Sequence, residues 1–131
     1  MIKLVIDYAS LFFISVIIHE IMHIKSQGLF MSGSIYIYKW RFKCNVDDVK
    51  YHNLYLISGG LYTGILYIIL SLLYVEIREI LIAIGIQHII YGIFEWKYLL
   101  VMPSRYYSII KDCIFICGTI TFAVIYLYYN L

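Results

Sequence analysis

The chain has 131 residues, of which 63% are hydrophobic and only 14% are charged, and its net charge at pH 7 is +2. Soluble domains carry about 25% charged residues, so this composition excludes an ordinary soluble domain. The basic residues are spread over the segments that flank the apolar runs, so the net charge does not indicate a nucleic-acid partner and none is expected. The length leaves room for one domain, 1–131, with about four membrane spans of ~20 residues.

Four apolar runs predict an all-α membrane protein with about four transmembrane helices. The predicted spans are about 4–24, 54–75, 80–102 and 113–129. A tight turn joins the second and third spans, whereas longer segments, 25–53 and 103–112, form the other two connections. The first run has no small-residue cleavage site, so we expect no separable signal peptide.

The first span ends on the sequence His19-Glu20-Ile21-Met22-His23. On a helix, this H-E-x-x-H spacing places two imidazoles one turn apart on the same face, where they suit two ligands of a tetrahedral zinc. Glu20 would then be the general base that acts on a zinc-bound water. Titratable groups within a membrane helix are costly and indicate a functional site. The alternative is a helix end at the interface, with its histidines facing water.

The segment 33–44, between the first two spans, alternates with a period of two residues, which predicts a β-strand at the membrane surface or a hairpin that starts near 28–33. One face would carry Tyr36, Tyr38, Trp40, Phe42 and Cys44, and the other Ile35, Ile37, Lys39, Arg41 and Lys43. Such a strand can pair with an unwound peptide, so Tyr36, Tyr38 and Trp40 are candidate substrate-binding residues. The alternative is a strand that only anchors the loop.

The second span carries two glycines four residues apart, Gly60 and Gly64, just after Gly59. Small residues at this spacing let two membrane helices approach closely. We expect them to bring the second span against the first, near His23.

The distribution of charge predicts the orientation in the cell membrane. Eight of the ten basic residues lie on the side of the first and third connections. By the positive-inside rule, both of these connections are cytoplasmic and both termini are outside. The H-E-x-x-H sequence would therefore lie near the cytoplasmic face of a multi-pass protein.

A catalytic zinc needs a third protein ligand in addition to two histidines. Asp112, at the predicted cytoplasmic start of the fourth span, is the first candidate, although a helix N-terminus alone also favours a carboxylate. Glu95, near the end of the third span, is the second candidate. His88 lies about two turns deeper in that span and is expected to make a polar contact between helices.

Together, the H-E-x-x-H in the first membrane helix, the β segment, the glycine-marked second helix Ser58-Gly59-Gly60 and a later carboxylate resemble the site-2 protease family of intramembrane metalloproteases. The resemblance covers most of the chain, which would be a small, divergent member. It implies zinc held by His19 and His23 and by a later Asp, with Glu20 as the base. The implied substrate is a membrane-embedded or membrane-adjacent peptide.

The predicted function is therefore intramembrane zinc proteolysis. One alternative is a catalytically inactive homologue that binds membrane helices without cutting them. A di-iron desaturase or hydroxylase needs many more histidines than the four in this chain. A helical scaffold or transporter subunit leaves the H-E-x-x-H sequence unexplained.

Overall fold

The computed structural model describes residues 2–28, 33–38, 41–46, 49 and 51–130. Within them lie four long α-helices and two β-strands, which in chain order are α1 (Ile2–Lys25), β1 (Ser34–Tyr38), β2 (Arg41–Asn45), α2 (His52–Leu73), α3 (Arg78–Tyr98) and α4 (Ser104–Asn130). A short 3-10 turn, Val75–Ile77, joins α2 to α3. Each of the four α-helices is long and apolar enough to cross a membrane. The prediction of four such helices, with a β segment after the first, is confirmed.

Helices that follow one another in the chain run antiparallel. The Tyr67 hydroxyl donates a hydrogen bond of 2.9 Å to the carbonyl of Leu11, which joins the second half of α2 to the first half of α1. Nearer the other end, the ring of His23 on α1 lies against the backbone of Tyr55 on α2. Helices α3 and α4 meet in the same way, through tyrosines near the connection between them. The ends of α1 and α3 and the starts of α2 and α4 therefore share one end of the bundle.

The closest helix contact joins α2 to α3 through glycines on both helices. A Cβ atom on Gly60 would meet the backbone of Gly92, and one on Gly64 would lie 2.6 Å from the carbonyl oxygen of Gly85. We expected Gly60 and Gly64 to pack against the first helix, and this was wrong. Helix α1 contains no glycine, whereas α3 carries two on the face that meets α2, so only α3 can approach so closely.

Helix α4 begins at Ser104, nine residues before the predicted start of the fourth span. The carbonyl of Pro103 accepts a hydrogen bond of 3.1 Å from the backbone N–H of Tyr107, which closes the first turn of this helix. The prediction assigned the charged residues of 105–112 to a loop. A helix can continue through charged and polar residues beyond its apolar part, and α4 does so. As a result, Asp112 lies about two turns inside α4 rather than at its start.

The segment after α1 is a two-stranded antiparallel hairpin, not one continuous strand. Tyr36 pairs with Lys43 and Ile37 pairs with Phe42, and residues directly opposite each other point to the same face of a sheet. The predicted faces were therefore wrong for β2, where Phe42 joins the isoleucines of β1 and Lys43 joins Tyr36. The turn causes this exchange, because a chain reversal between 38 and 41 breaks the alternation that a single strand would keep.

We expect Gly92→Leu to destabilise the bundle, because the new side chain would push α3 away from the backbone of α2 at Gly60. Overpacking of this kind costs of order 1–3 kcal/mol. The check is the midpoint of thermal unfolding in detergent, with Ala123→Leu as the matched control at an exposed position on α4. Equal midpoints for the two variants would contradict the glycine contact.

Candidate metal centre

Three candidate site residues of the first helix are buried where α1 approaches its end. His19, Glu20 and His23 are between 4% and 7% exposed. The helical period places the two imidazoles on one face, and their ring centroids are 4.7 Å apart. Glu20 is turned about 100° around the helix from His19, onto a neighbouring face.

A carboxylate of α3 completes a triangle with the two imidazoles. The Nε2 atoms of His19 and His23 are 3.0 Å apart, and Oε2 of Glu95 lies 3.3 Å from each of them. Three ligand atoms at about 2.0–2.1 Å from a tetrahedral zinc lie about 3.3–3.4 Å from one another. The triangle therefore has nearly the dimensions of one face of a zinc tetrahedron, and the fourth position is left for a water or a substrate.

The hydrogen bonds around His23 fix the proton on the nitrogen that faces away from this triangle. Nδ1 of His23 lies 2.6 Å from the carbonyl oxygen of Tyr55, which can only accept, so Nδ1 carries the proton and donates it. In the neutral ring, Nε2 then holds a lone pair that points at the triangle. A metal-ligating histidine is held in this way by a backbone carbonyl or a carboxylate.

Two tyrosines hold Glu95 so that only one of its oxygens faces the histidines. The hydroxyls of Tyr91 on α3 and Tyr107 on α4 each donate to Oε1 of Glu95, at 3.2 Å, and they lie 2.7 Å from each other. In the part of the chain that the structure describes, Oε2 is buried without a hydrogen-bond partner. One carboxylate oxygen and two imidazole nitrogens are ligand types that zinc takes in proteins.

A glycine of α2 leaves the room that this site needs. A Cβ atom on Gly59 would lie 2.7 Å from Nε2 of His19 and would collide with Nε2 of His23. The backbone of α2 therefore forms one wall of the triangle, and any larger residue would occupy it. The sequence Ser58-Gly59-Gly60 drew attention to Gly59, but it predicted only helix packing there.

The triangle opens into a cavity of about 870 Å³ at the end of the bundle. The cavity is lined by residues from all four helices and from the hairpin: Glu20, His23, Tyr36, Phe42, Lys43, Cys44, Tyr55, Tyr91, Glu95, Leu99, Met102, Arg105, Tyr107, Ser108 and Lys111. Glu20, the expected base, thus faces the same space as two members of the triangle. The volume is that of a site for a ligand of drug size or for a short stretch of peptide.

Cys44 on β2 is the only cysteine that lines this cavity among the described residues. Burial raises the pKa of its thiol to about 12, so the thiol is protonated at neutral pH. A protonated, buried thiol is neither a nucleophile nor a metal ligand. Its sulfur lies 3.4 Å from the Tyr55 hydroxyl, and its role is a polar contact that holds the hairpin against α2.

The structure brings Glu95, the second candidate for the third ligand, to the histidines, and it does not bring Asp112 there. Among the residues described, His19, His23 and Glu95 form the one group of three side chains whose ligand atoms all lie within 4.8 Å of one another. Asp112 is exposed on α4. The difference follows from the early start of α4, because its first two turns carry Tyr107 to Glu95 and leave Asp112 farther along the helix.

The remaining residues that the sequence singled out are His88 and the aromatic residues of the hairpin. His88 is buried and its Nδ1 lies 3.0 Å from the Ile84 carbonyl of its own helix, while its ring lies 5.8 Å from that of His19. Tyr36 lines the cavity, and its role in substrate binding stays a prediction. The side chain of Tyr38 and all of Trp40 lie outside the described residues.

Sequence reasoning missed the two tyrosines that hold Glu95. Tyr91 is four residues before Glu95, so the spacing of one helical turn was a signal that could have identified it. Tyr107 belongs to another helix, in a segment interpreted as a loop, and no local pattern links it to Glu95.

Comparisons with known proteins found no match: no family model, no curated protein and no solved structure matches this chain. The interpretation of the site therefore depends on its own geometry and chemistry.

We expect Gly59→Ala to abolish metal binding, because the added methyl group would occupy the space between the two imidazole nitrogens. The measurement is metal content of the detergent-purified variant after dialysis against zinc. Gly118→Ala is the matched control, since its methyl group would meet the Gln87 side chain instead. Wild-type metal content in Gly59→Ala would mean that the ion binds elsewhere.

Proposed function

We propose that this protein is an intramembrane zinc metalloprotease that resembles the site-2 protease family. One observation carries the proposal: two imidazoles and one carboxylate form a triangle of tetrahedral dimensions, with the carboxylate Glu20 in the same cavity. Three protein ligands and an open position are the pattern of a catalytic zinc, whereas structural zinc sites have four protein ligands.

In the proposed site, His19, His23 and Glu95 hold the zinc. Zinc in such a site supplies Lewis acidity, which lowers the pKa of a water to about 7. Glu20, which faces the same cavity, would accept a proton from a water that attacks a peptide carbonyl and would pass that proton to the departing amine. The tyrosines keep Glu95 oriented throughout, because its other oxygen stays hydrogen-bonded.

The proposed substrate is a peptide that is embedded in the membrane or lies next to it. The four helices would place the cavity at the cytoplasmic face, with both termini outside, by the distribution of basic residues. A helical substrate has its carbonyls engaged in its own hydrogen bonds, so it must unwind before it is cut. The hairpin forms one wall of the cavity, where Tyr36 would contact the unwound segment.

The alternative is an inactive homologue that only binds helices. The carboxylate of Glu95, 3.3 Å from both histidines, favours a three-ligand catalytic site over that alternative. A two-histidine, one-carboxylate site also suits the iron of certain oxygenases. The buried Glu20 favours hydrolysis, because oxygen activation at iron does not need a general base beside the metal.

We expect the purified protein to contain about one zinc per chain, and Glu95→Gln to lose it, while Asp112→Asn keeps it. The two substitutions each remove one negative charge, so they differ only in position. Metal content by mass spectrometry is the measurement. Loss of zinc in Asp112→Asn alone would restore the first candidate, and iron in place of zinc would refute the proposed reaction.

We expect Glu20→Gln to keep its zinc and to lower the cleavage rate by about 10²–10⁴-fold, since an amide cannot accept the proton. The assay is product formation from a mixture of transmembrane peptides with unstructured cytoplasmic flanks, followed by mass spectrometry. Glu79→Gln, exposed at the opposite end of the bundle, is the control. Zinc-loaded wild type that cuts no peptide would favour the inactive homologue.

A further inference from the structure

The cavity beside the proposed zinc site has a charge pattern that the proposed reaction does not use. Its two carboxylates, Glu20 and Glu95, both belong to the metal centre. The other charged side chains that line it, Lys43, Arg105 and Lys111, are all cations. A divalent ion would make the cavity more positive still, and a site with one sign of charge attracts a ligand of the opposite sign.

Two of these cations come from the first turns of α4. The ammonium of Lys111 lies 4.9 Å from the centre of the Tyr91 ring, and that ring is 5.2 Å from the His19 ring. The ammonium of Lys111 therefore lies within about 10 Å of the His19 ring, the length of about three extended residues of a peptide. The aromatic contact holds the ammonium in the wall of the cavity.

Arg105 is the member best suited to bind an anion. Its side chain lines the cavity and is exposed there, and it has no ion-pair partner among the described residues. A guanidinium presents paired N–H groups that match the two oxygens of a carboxylate, whereas an ammonium acts as a point charge. By contrast, Lys97 at the same end of the bundle lies over Tyr98 and does not line the cavity. The positive-inside rule accounts for cations at this end of the bundle, but it does not require them to line the cavity.

We propose that Arg105 and Lys111 form an anion subsite that binds a carboxylate of the peptide substrate, within about three residues of the bond that is cut. This inference rests on the proposed function. The carboxylate comes from an acidic side chain or from the free C-terminus of the peptide, since both present the same two oxygens. The subsite would select which peptide is cut and in which register.

The test uses non-cleavable probes, so that binding is measured without catalysis. Short peptide hydroxamates, which chelate zinc, extend from the metal toward either side of the cut bond. Each carries Glu or Gln at the first, second or third position, or a C-terminal carboxylate or amide. The binding partner is the full-length, zinc-loaded protein in detergent, and the readout is the ratio of dissociation constants within each Glu/Gln or acid/amide pair.

For at least one position, we expect the acidic probe to bind wild type about 10-fold more tightly than its neutral partner, which is typical of a charged hydrogen bond. Arg105→Gln should reduce that ratio to about one and leave the affinity for the neutral probe unchanged. The control Lys97→Gln should keep the wild-type ratio. The position of the responsive pair shows whether a side chain or the C-terminus supplies the carboxylate.

Four other outcomes would overturn the subsite, and they separate it from the protease proposal. Equal binding of acidic and neutral probes at every position would exclude the subsite but keep the zinc site. A preference that survives Arg105→Gln combined with Lys111→Gln would assign the carboxylate to another group. A preference that is lost when anionic lipid is added would assign the two cations to a lipid headgroup. No binding of any hydroxamate would refute the zinc site itself, and the subsite with it.

Discussion

The structure depends on the meeting of two imidazole nitrogens and one carboxylate oxygen inside an apolar bundle. Nε2 of His19, Nε2 of His23 and Oε2 of Glu95 lie 3.0–3.3 Å from one another and are buried. The two nitrogens are within hydrogen-bond distance of each other, whereas Oε2 is buried without a hydrogen bond among the described residues. A buried carboxylate oxygen is costly unless it is hydrogen-bonded or paired with a positive charge. The neighbouring hydrogen bonds go to other atoms of the same side chains. Tyr91 and Tyr107 donate to Oε1 of Glu95, and the Tyr55 carbonyl accepts from Nδ1 of His23. A cation at the centre would satisfy all three atoms at once.

The close packing of α2 against α3 gives this site its dimensions. Paired glycines bring the two backbones together, and the next glycine along α2, Gly59, faces the imidazoles of α1. The segment Ser58-Gly59-Gly60 therefore faces two neighbouring helices. Gly59 leaves room for the histidines of α1, and Gly60 approaches the backbone of α3. Because Glu95 lies one turn beyond Gly92 on α3, the depth of this packing sets how near its carboxylate comes to α1.

Much of the fold and part of the site could be predicted from the sequence. Apolar runs of sufficient length gave four helices, and the H-E-x-x-H spacing gave two buried imidazoles on one face of α1, because both patterns are local. For the third member the sequence favoured Asp112 over Glu95, whereas the structure brings Glu95 to the histidines, because that position depends on how α3 and α4 pack. The faces of the hairpin were wrong for a similar reason: alternation shows which residues share a face only until the chain reverses.

An ion bound at this site would also stabilise the four-helix bundle. Helices α1 and α3 touch both where His19 meets Glu95 and Tyr91 and, nearer the other end, where Tyr8 donates to Gln87. A bound ion would add a further link between these two helices, which are far apart in sequence. An ion that binds only the folded state stabilises it in proportion to the logarithm of its concentration over its dissociation constant. Tyr107 extends the same link to α4, which also contacts α1 through Phe115 and Phe12. Metal binding and assembly of the four helices are therefore coupled on this proposal, and any substitution that loosens Glu95 should weaken both together.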